Sequence, residues 1–245
     1  MPLDILALAA HRDDVEQTCA GTLLKMAERG HRTGILDLTQ GEMGTRGTAE
    51  DRASEAVEAA RILKVSWRHA LDIPDGRVEN TWENRLKIVR VLREQRPRVL
   101  ILPYWLGRHP DHYTASVLGY EASFLSGLAK VQAAAPGDQK AETTGPHRPF
   151  KIIYASLYYD VRPTFVVDIS DQFETRLASL LAYKSQFTDQ KAGSGDFPAQ
   201  AEIRARVESI ARFYGMMGGV TYAEPFVQKE VGLVDDVMEI PVKSI

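Results

Sequence analysis

His11, Asp13, Asp14 and Glu16 place one imidazole and three carboxylates inside the six-residue stretch His11-Arg12-Asp13-Asp14-Val15-Glu16. A second cluster, His109-Pro110-Asp111-His112, follows about a hundred residues later. His11 and Asp14 stand three positions apart where an apolar run gives way to helical spacing, so both side chains can reach one point. His112 can supply a third donor from the second cluster. Two imidazoles, one carboxylate and an open position suit a catalytic zinc or iron(II) ion. Such an ion lowers the pKa of water to about 7. A remaining carboxylate can then act as base, and a remaining histidine can stabilise an oxyanion or protonate a leaving amine. Spacing alone leaves open which of Asp13 and Asp14, and which of His109 and His112, would be ligands. A rival reading makes each cluster a helix cap, and for either cluster by itself that is the simpler account.

The elements around the clusters weigh against capping. Leu3–Ala10 is a nearly continuous apolar run of strand length, suited to a strand buried on both faces. Apolar residues then recur at helical spacing from Val15 to Arg29, and Gly30 is a natural C-cap. Thr33–Thr39 reads as a second strand, followed by a Gly-containing loop over 40–47. Thr48 caps a helix to about Leu63, with Asp51 at the capping-box position. A short strand at Arg68–Leu71 and a turn at Pro74-Asp75-Gly76 precede a helix over Trp82–Gln95, which Pro97 stops. Arg98–Pro103 is the next buried strand, and Tyr113 to about Leu128 the next helix. Gln132–Pro149 reads as an exposed loop. Strands are predicted at Lys151–Tyr159 and Thr164–Asp168, and helices at Ser170–Tyr183 and Ala199–Tyr214. A Gly-rich loop at Gly215–Gly219 and a weakly patterned tail close the chain, the tail being a candidate pocket cover or oligomer contact.

Strand and helix alternate through the first 130 residues or so. This predicts an α/β fold: a doubly wound, mostly parallel sheet with helices on both faces. The usual order 3-2-1-4-5 sets strands one and four side by side, and ligands bind beyond the carboxyl ends at that switch point. Both clusters fall there. An argument made without the histidines puts the pocket where the histidines are.

At 245 residues the chain fits a single domain over 1–245. A net charge of -3 gives no field to draw nucleic acid or an anionic membrane. Anionic substrate would have to be caught by local arginines. Cys19 is the only cysteine, which excludes an intramolecular disulfide and suits a reducing compartment. The N-terminus lacks the basic region of a signal peptide, and no apolar run approaches the ~20 residues of a membrane span, so a cytoplasmic protein is expected. Cys19 falls on the inner stripe of the first helix as a small hydrophobe. His31, His69 and His147 read as surface or structural. Gly41, Gly44 and Gly47 lack the position and spacing of a dinucleotide fingerprint.

His11-Arg12-Asp13-Asp14-Val15-Glu16 resembles the His-Pro/Ala-Asp-Asp-x-Glu signature of the LmbE-like (PIG-L) N-acetylglucosaminyl deacetylases. His109-Pro110-Asp111-His112 resembles their second metal motif. Thr39–Gly47 and Tyr183-Lys184-Ser185-Gln186 are similar to further family segments. The stretch Gly41-Glu42-Met43-Gly44-Thr45-Arg46-Gly47 is most similar to the bacillithiol-biosynthesis branch, which deacetylates N-acetylglucosaminyl-malate. The resemblance implies a Rossmann-like, LmbE-type fold, with His11, Asp14 and His112 binding Zn2+, or alternatively Fe2+. It makes Asp13 the general base and His109, protonated and oriented by Asp111, the group that holds the oxyanion. Glu16 becomes a supporting residue, not a fourth ligand. Arg12 stands where proline is common, which implies a less rigid loop. Arg52 is the family-supported partner for a substrate carboxylate, with Arg46 and Arg108 as weaker candidates. Glu42 could accept hydrogen bonds from sugar hydroxyls. The implied partner is a small sugar conjugate, and relatives in that branch form homo-oligomers, often hexamers. Two rivals stand beside this reading. One is deacetylation of another N-acetylglucosamine conjugate, such as a mycothiol precursor or an antibiotic intermediate. The other is a non-catalytic sugar- or nucleotide-binding module, against which the full set His11, Asp13, Asp14, His109 and His112 argues.

Overall fold

Alternate residues of the first strand, β1 (Ile5–Ala9), serve two different cores. Leu6 and Leu8 join Leu36, Leu100, Leu102, Ile88, Leu92 and Leu118 on one face of the sheet. Ala7 and Ala9 face Val15, Cys19 and Leu23 on the other. A strand covered on both sides must be apolar throughout, which is why this run showed no alternation. A computed structural model describes residues 1–133, 145–157, 160–187 and 200–242.

After β1 come α1 (Asp14–Thr18), α2 (Ala20–Glu28), β2 (Thr33–Asp37), α3 (Ala49–Ile62) and β3 (Trp67–Ala70). Next are α4 (Trp82–Gln95), β4 (Val99–Pro103), α5 (Pro110–Ser126), β5 (Lys151–Ala155) and β6 (Phe165–Asp168). The described elements end with α6 (Phe173–Leu181), α7 (Lys184–Phe187), α8 (Gln200–Gly218), β7 (Ala223–Val227) and a single 3-10 turn at Val237–Glu239. The sheet order is β3-β2-β1-β4-β5-β7-β6. β1 lies parallel between β2 and β4, so the expected 3-2-1-4-5 core and its switch point are present. The capping box on α3 also forms, with Thr48 and Asp51 exchanging bonds. Among the described residues, no helix is long and apolar enough to cross a membrane.

Five expectations need correction. The helix over Val15–Arg29 is two helices that break at Cys19, whose φ is -141°. The helix after the second cluster starts at Pro110, because proline suits a first helical position, and His109 is its cap. The Gly215–Gly219 segment continues α8 through Gly218 instead of forming a loop. The tail beyond it supplies β7, antiparallel to both β5 and β6. Proline argues against an interior strand. Here pairing with β5 covers only Phe226 and Val227, so Pro225 lies outside that ladder. The strand predicted to Tyr159 ends at Ala155; 158 and 159, like 134–144 of the linker, lie outside the described residues.

β7 also explains the break in the first helix. Glu224, wholly buried on β7, accepts hydrogen bonds from the Gly21 and Thr22 amides (2.9 and 2.7 Å) and from the Thr22 hydroxyl (2.6 Å). A carboxylate from the far end of the chain thus caps α2, where the helix dipole favours it. Arg176 of α6 balances the charge at 3.2 Å.

Candidate metal centre

β1 ends two residues before His11, and β4 delivers the second cluster alongside the first. His11 Nδ1 and His112 Nε2 lie 3.2 Å apart. Asp14 Oδ1 is 3.2 Å from His112 Nε2, and Asp14 Oδ2 is 3.6 Å from His11 Nδ1. A tetrahedral ion with 2.0–2.1 Å bonds separates its ligand atoms by ~3.3 Å, close to the spacing of each pair here, with Asp14 meeting the two histidines through different oxygens. Two facing imidazole nitrogens can share only one proton, whereas a cation satisfies both. The His11 amide also donates to Asp14 Oδ2 at 2.9 Å, which fixes that carboxylate.

The far nitrogen of His11 is held as well. Its Nε2 lies 3.0 Å from Asp75 Oδ1 and 3.3 Å from Asp111 Oδ2. Asp111 accepts from the Gly76 and Val78 amides (2.8 and 3.3 Å), and Asp75 accepts from the Met43 amide (3.0 Å). A carboxylate on the second nitrogen is the usual way to orient a metal-binding histidine. Among the described residues, one ligand atom from each member comes within 4.8 Å of the others in two groupings, His11 with His109 and His112, and His11 with Asp75 and Asp111. Burial alone would lower the His11 pKa, but bonds to Asp111, Asp14 and Asp75 leave it pushed up to about 12. Burial would raise Asp14, yet His112 and His11 hold it well below the ordinary carboxylate range.

Asp13 occupies the N-cap position of α1 but makes no capping bond, and its φ is 103°. That backbone region is strained for a residue other than glycine, and such strain collects at functional sites. Its Oδ1 lies 3.3 Å from Arg52 Nη2, and Gln17 Nε2 donates to its Oδ2 at 3.3 Å. Burial pushes its pKa up to about 7, against the pull of Arg52. A group that trades protons near neutral pH suits a general base.

His109 is a cap in part. Its Nδ1 accepts from the Asp111 amide at 3.2 Å, so the neutral ring carries its proton on Nε2. The ring stacks on His112 with centroids 4.9 Å apart. Burial and the neighbouring His11 and His112 lower its pKa. This corrects the expectation of a protonated His109 held by the Asp111 carboxylate: the Asp111 backbone orients His109, and the carboxylate serves His11.

Of the remaining expected residues, Arg52 and Arg46 are tied inward. Arg52 is buried and donates to the carbonyls of Arg12 (2.7 Å) and Gly41 (3.3 Å), as well as facing Asp13. Gly41 has φ +74°, and a Cβ there would sit 2.5 Å from Arg52 Nη1, so glycine is required. Arg46 is buried against Gln186, whose side chain donates to the Arg46 carbonyl at 2.7 Å. Glu42 accepts from the Gln40 and Asp75 amides (3.2 and 2.8 Å) and braces the Gly-containing loop. Arg108 is exposed between β4 and α5. Arg12 fastens its surroundings instead of loosening them, donating to the carbonyls of Gln40 (3.2 Å) and Ala49 (2.9 Å). Glu16 is a support, paired with Arg68 at 2.6 Å and near the Tyr183 hydroxyl at 3.3 Å. Asp75, Gln17 and Arg68 were not singled out from sequence. Asp75 sits in an ordinary Pro-Asp-Gly turn, and nothing local marks that turn as folding onto His11.

Residues 6–123, which contain both clusters, match the family of GlcNAc-PI de-N-acetylases (PIG-L). The diacetylchitobiose deacetylase of Thermococcus kodakarensis is 33% identical over 230 residues, covering 90% of this chain and 80% of that protein. The chain belongs to the PIG-L family. It is a deacetylase, a hydrolase of acetamido groups, and its PIG-L fold recurs in solved structures. A conserved protein of Thermus thermophilus superposes with a TM-score of 0.82 at 40% identity, covering 95% of this chain and 98% of that one. The N,N'-diacetylchitobiose deacetylase of Pyrococcus horikoshii, solved with an inhibitor, gives 0.77 at 26% identity over 91% of this chain and 82% of that one.

Proposed function

We propose that this PIG-L enzyme is a metal-dependent N-deacetylase of a small N-acetylglucosamine conjugate, with His11, Asp14 and His112 as ligands of Zn2+ or, alternatively, Fe2+. The observation that carries the reading is the convergence of those three donors at 3.2–3.6 Å beside a strained, buried Asp13. A divalent cation there supplies the Lewis acidity that makes water nucleophilic near neutral pH. Asp13, held by Arg52 and Gln17, takes the proton as water oxygen adds to the acetyl carbonyl carbon. His109 offers its Nε2 proton to the carbonyl oxygen as charge develops there. The carbon–nitrogen bond then breaks, the amine leaves with the proton returned from Asp13, and acetate is the second product.

For the conjugate, the Gly41–Gly47 segment favours N-acetylglucosaminyl-malate. A second reading, diacetylchitobiose, is supported by the names of two relatives and by the inward commitment of Arg52, the expected carboxylate partner. A cytoplasmic location and self-association belong to the same proposal. Cys19 is the only cysteine, and α5 presents Tyr113, Val117, Tyr120 and Phe124 to solvent along one face.

The test is acetate release from both substrates by zinc-loaded protein, with two variants. His112→Ala is expected to lose bound metal and turnover together. Asp13→Asn suits the test because asparagine tolerates positive φ. It is expected to keep the metal while turnover falls about 10²–10⁴-fold. Near-normal turnover of Asp13→Asn would falsify its role as base. No release from either substrate, by protein holding one metal ion per chain, would remove both substrate assignments.

A further inference from the structure

A recess beside the donor triad takes no part in the steps above. Asp14, His112 and Thr18 supply its polar lining, while Val15, Cys19, Ile101 and Ala155 line its apolar side. These four are 2–4% exposed, so the apolar end is closed and shaped by the core itself. They come from α1, the α1–α2 break, β4 and β5, which the strand order gathers at the switch point. The recess has a cavity volume of about 20 Å³. One water needs ~10–15 Å³ on the same measure, so a single water-sized group fits and little more. Against the side formed by Val15, Cys19, Ile101 and Ala155, water has too few partners to be held well. A methyl group has no such requirement.

An acetyl group whose carbonyl faces His11, Asp14 and His112 has one methyl to place, and this recess opens from that side. We propose, resting on the deacetylase reading, that the recess is the acyl pocket and that Cys19, Ile101 and Ala155 restrict the enzyme to acetyl. A longer acyl group brings a methylene into surroundings packed at core density, where extra volume displaces side chains. Discrimination of one methylene by a close-fitting apolar pocket is about 10–200-fold.

The experiment compares kcat/KM for the N-acetyl, N-propionyl and N-butyryl forms of one glucosamine glycoside with zinc-loaded enzyme. The wild-type chain is expected to lose about 10–200-fold from acetyl to propionyl, and more to butyryl. Cys19→Ala and Ile101→Val each remove one heavy atom from the closed end, and each should move the propionyl-to-acetyl ratio toward one. The ratio is internal to each preparation, so a partly unfolded variant lowers both rates and leaves it unchanged. Circular dichroism identifies which variants are folded. Acetyl release without discrimination in the wild type, or an unchanged ratio in both folded variants, overturns the pocket and leaves the deacetylase intact. Failure to release any acyl group overturns the deacetylase reading, and the pocket with it.

Discussion

Cys19 shows how far a residue's chemistry depends on its surroundings. Burial pushes its thiol well above the ordinary cysteine range, and thiolate is the reactive form. Because the shift is upward, raising the pH to 8 is expected to leave folded Cys19 unmodified by iodoacetamide, with complete modification after unfolding in urea, as read by mass spectrometry. Alkylation of the native chain at a free-thiol rate would contradict that burial. Arg12 makes the opposite point. A basic residue in place of proline suggested a looser loop, yet its guanidinium ties the carbonyls of Gln40 and Ala49. Hydrogen bonds from charged groups contribute ~1.5–3 kcal/mol. Arg12→Ala is therefore expected to speed amide hydrogen exchange over 41–47, and unchanged exchange there would show that the loop holds itself.

Elements meet here through small residues and imported caps. Gly119 lets α5 settle on β1 and β4: a Cβ there would lie 2.5 Å from Leu102 Cδ2 and 3.3 Å from Leu8 Cδ1. Gly119→Ala is expected to lower stability by about 1–3 kcal/mol in urea titration, since overpacking moves the strands that carry both clusters. Glu224 is the more severe case. Its removal orphans the α2 amides and leaves Arg176 without its buried carboxylate, a loss of about 3–5 kcal/mol for a broken buried pair. Glu224→Ala is expected to show that loss, and a change within about 0.5 kcal/mol, as at ordinary surface sites, would mean the cap is dispensable. Neither effect is visible in the local pattern. Glu224 lies beside Pro225 in a short run that reads as tail, and its partners lie 202 and 203 residues away.

At the scale of the whole molecule, β7 closes the gap between β5 and β6 and returns the end of the chain to the first helix pair. A chain ending at Gly219 is expected to lose cooperative thermal unfolding, as followed by circular dichroism. A sharp transition in that truncation would show the five parallel strands to be self-sufficient. The exposed face of α5 belongs to the same scale. If the proposed self-association runs through this face, Val117→Asp is expected to lower the particle mass in light scattering, and an unchanged mass would show that this face joins no second copy.

Periodicity, the donor clusters and the apolar runs are local, and local signals were enough for the parallel core. Alternation of strand and helix dictates right-handed crossovers, and these set β1 beside β4. That the His11–Glu16 and His109–His112 clusters meet is therefore legible from the chain, because both motifs end strands that must be neighbours. Only tertiary structure decided which groups answer which. Asp75 and Asp111 hold the far side of His11, Arg52 turns inward to Asp13, and Glu224 caps a helix from the opposite end of the sequence. Each is a polar residue whose burial depends on another segment's arrival. A carboxylate in a turn looks the same in sequence whether it meets water or a buried imidazole.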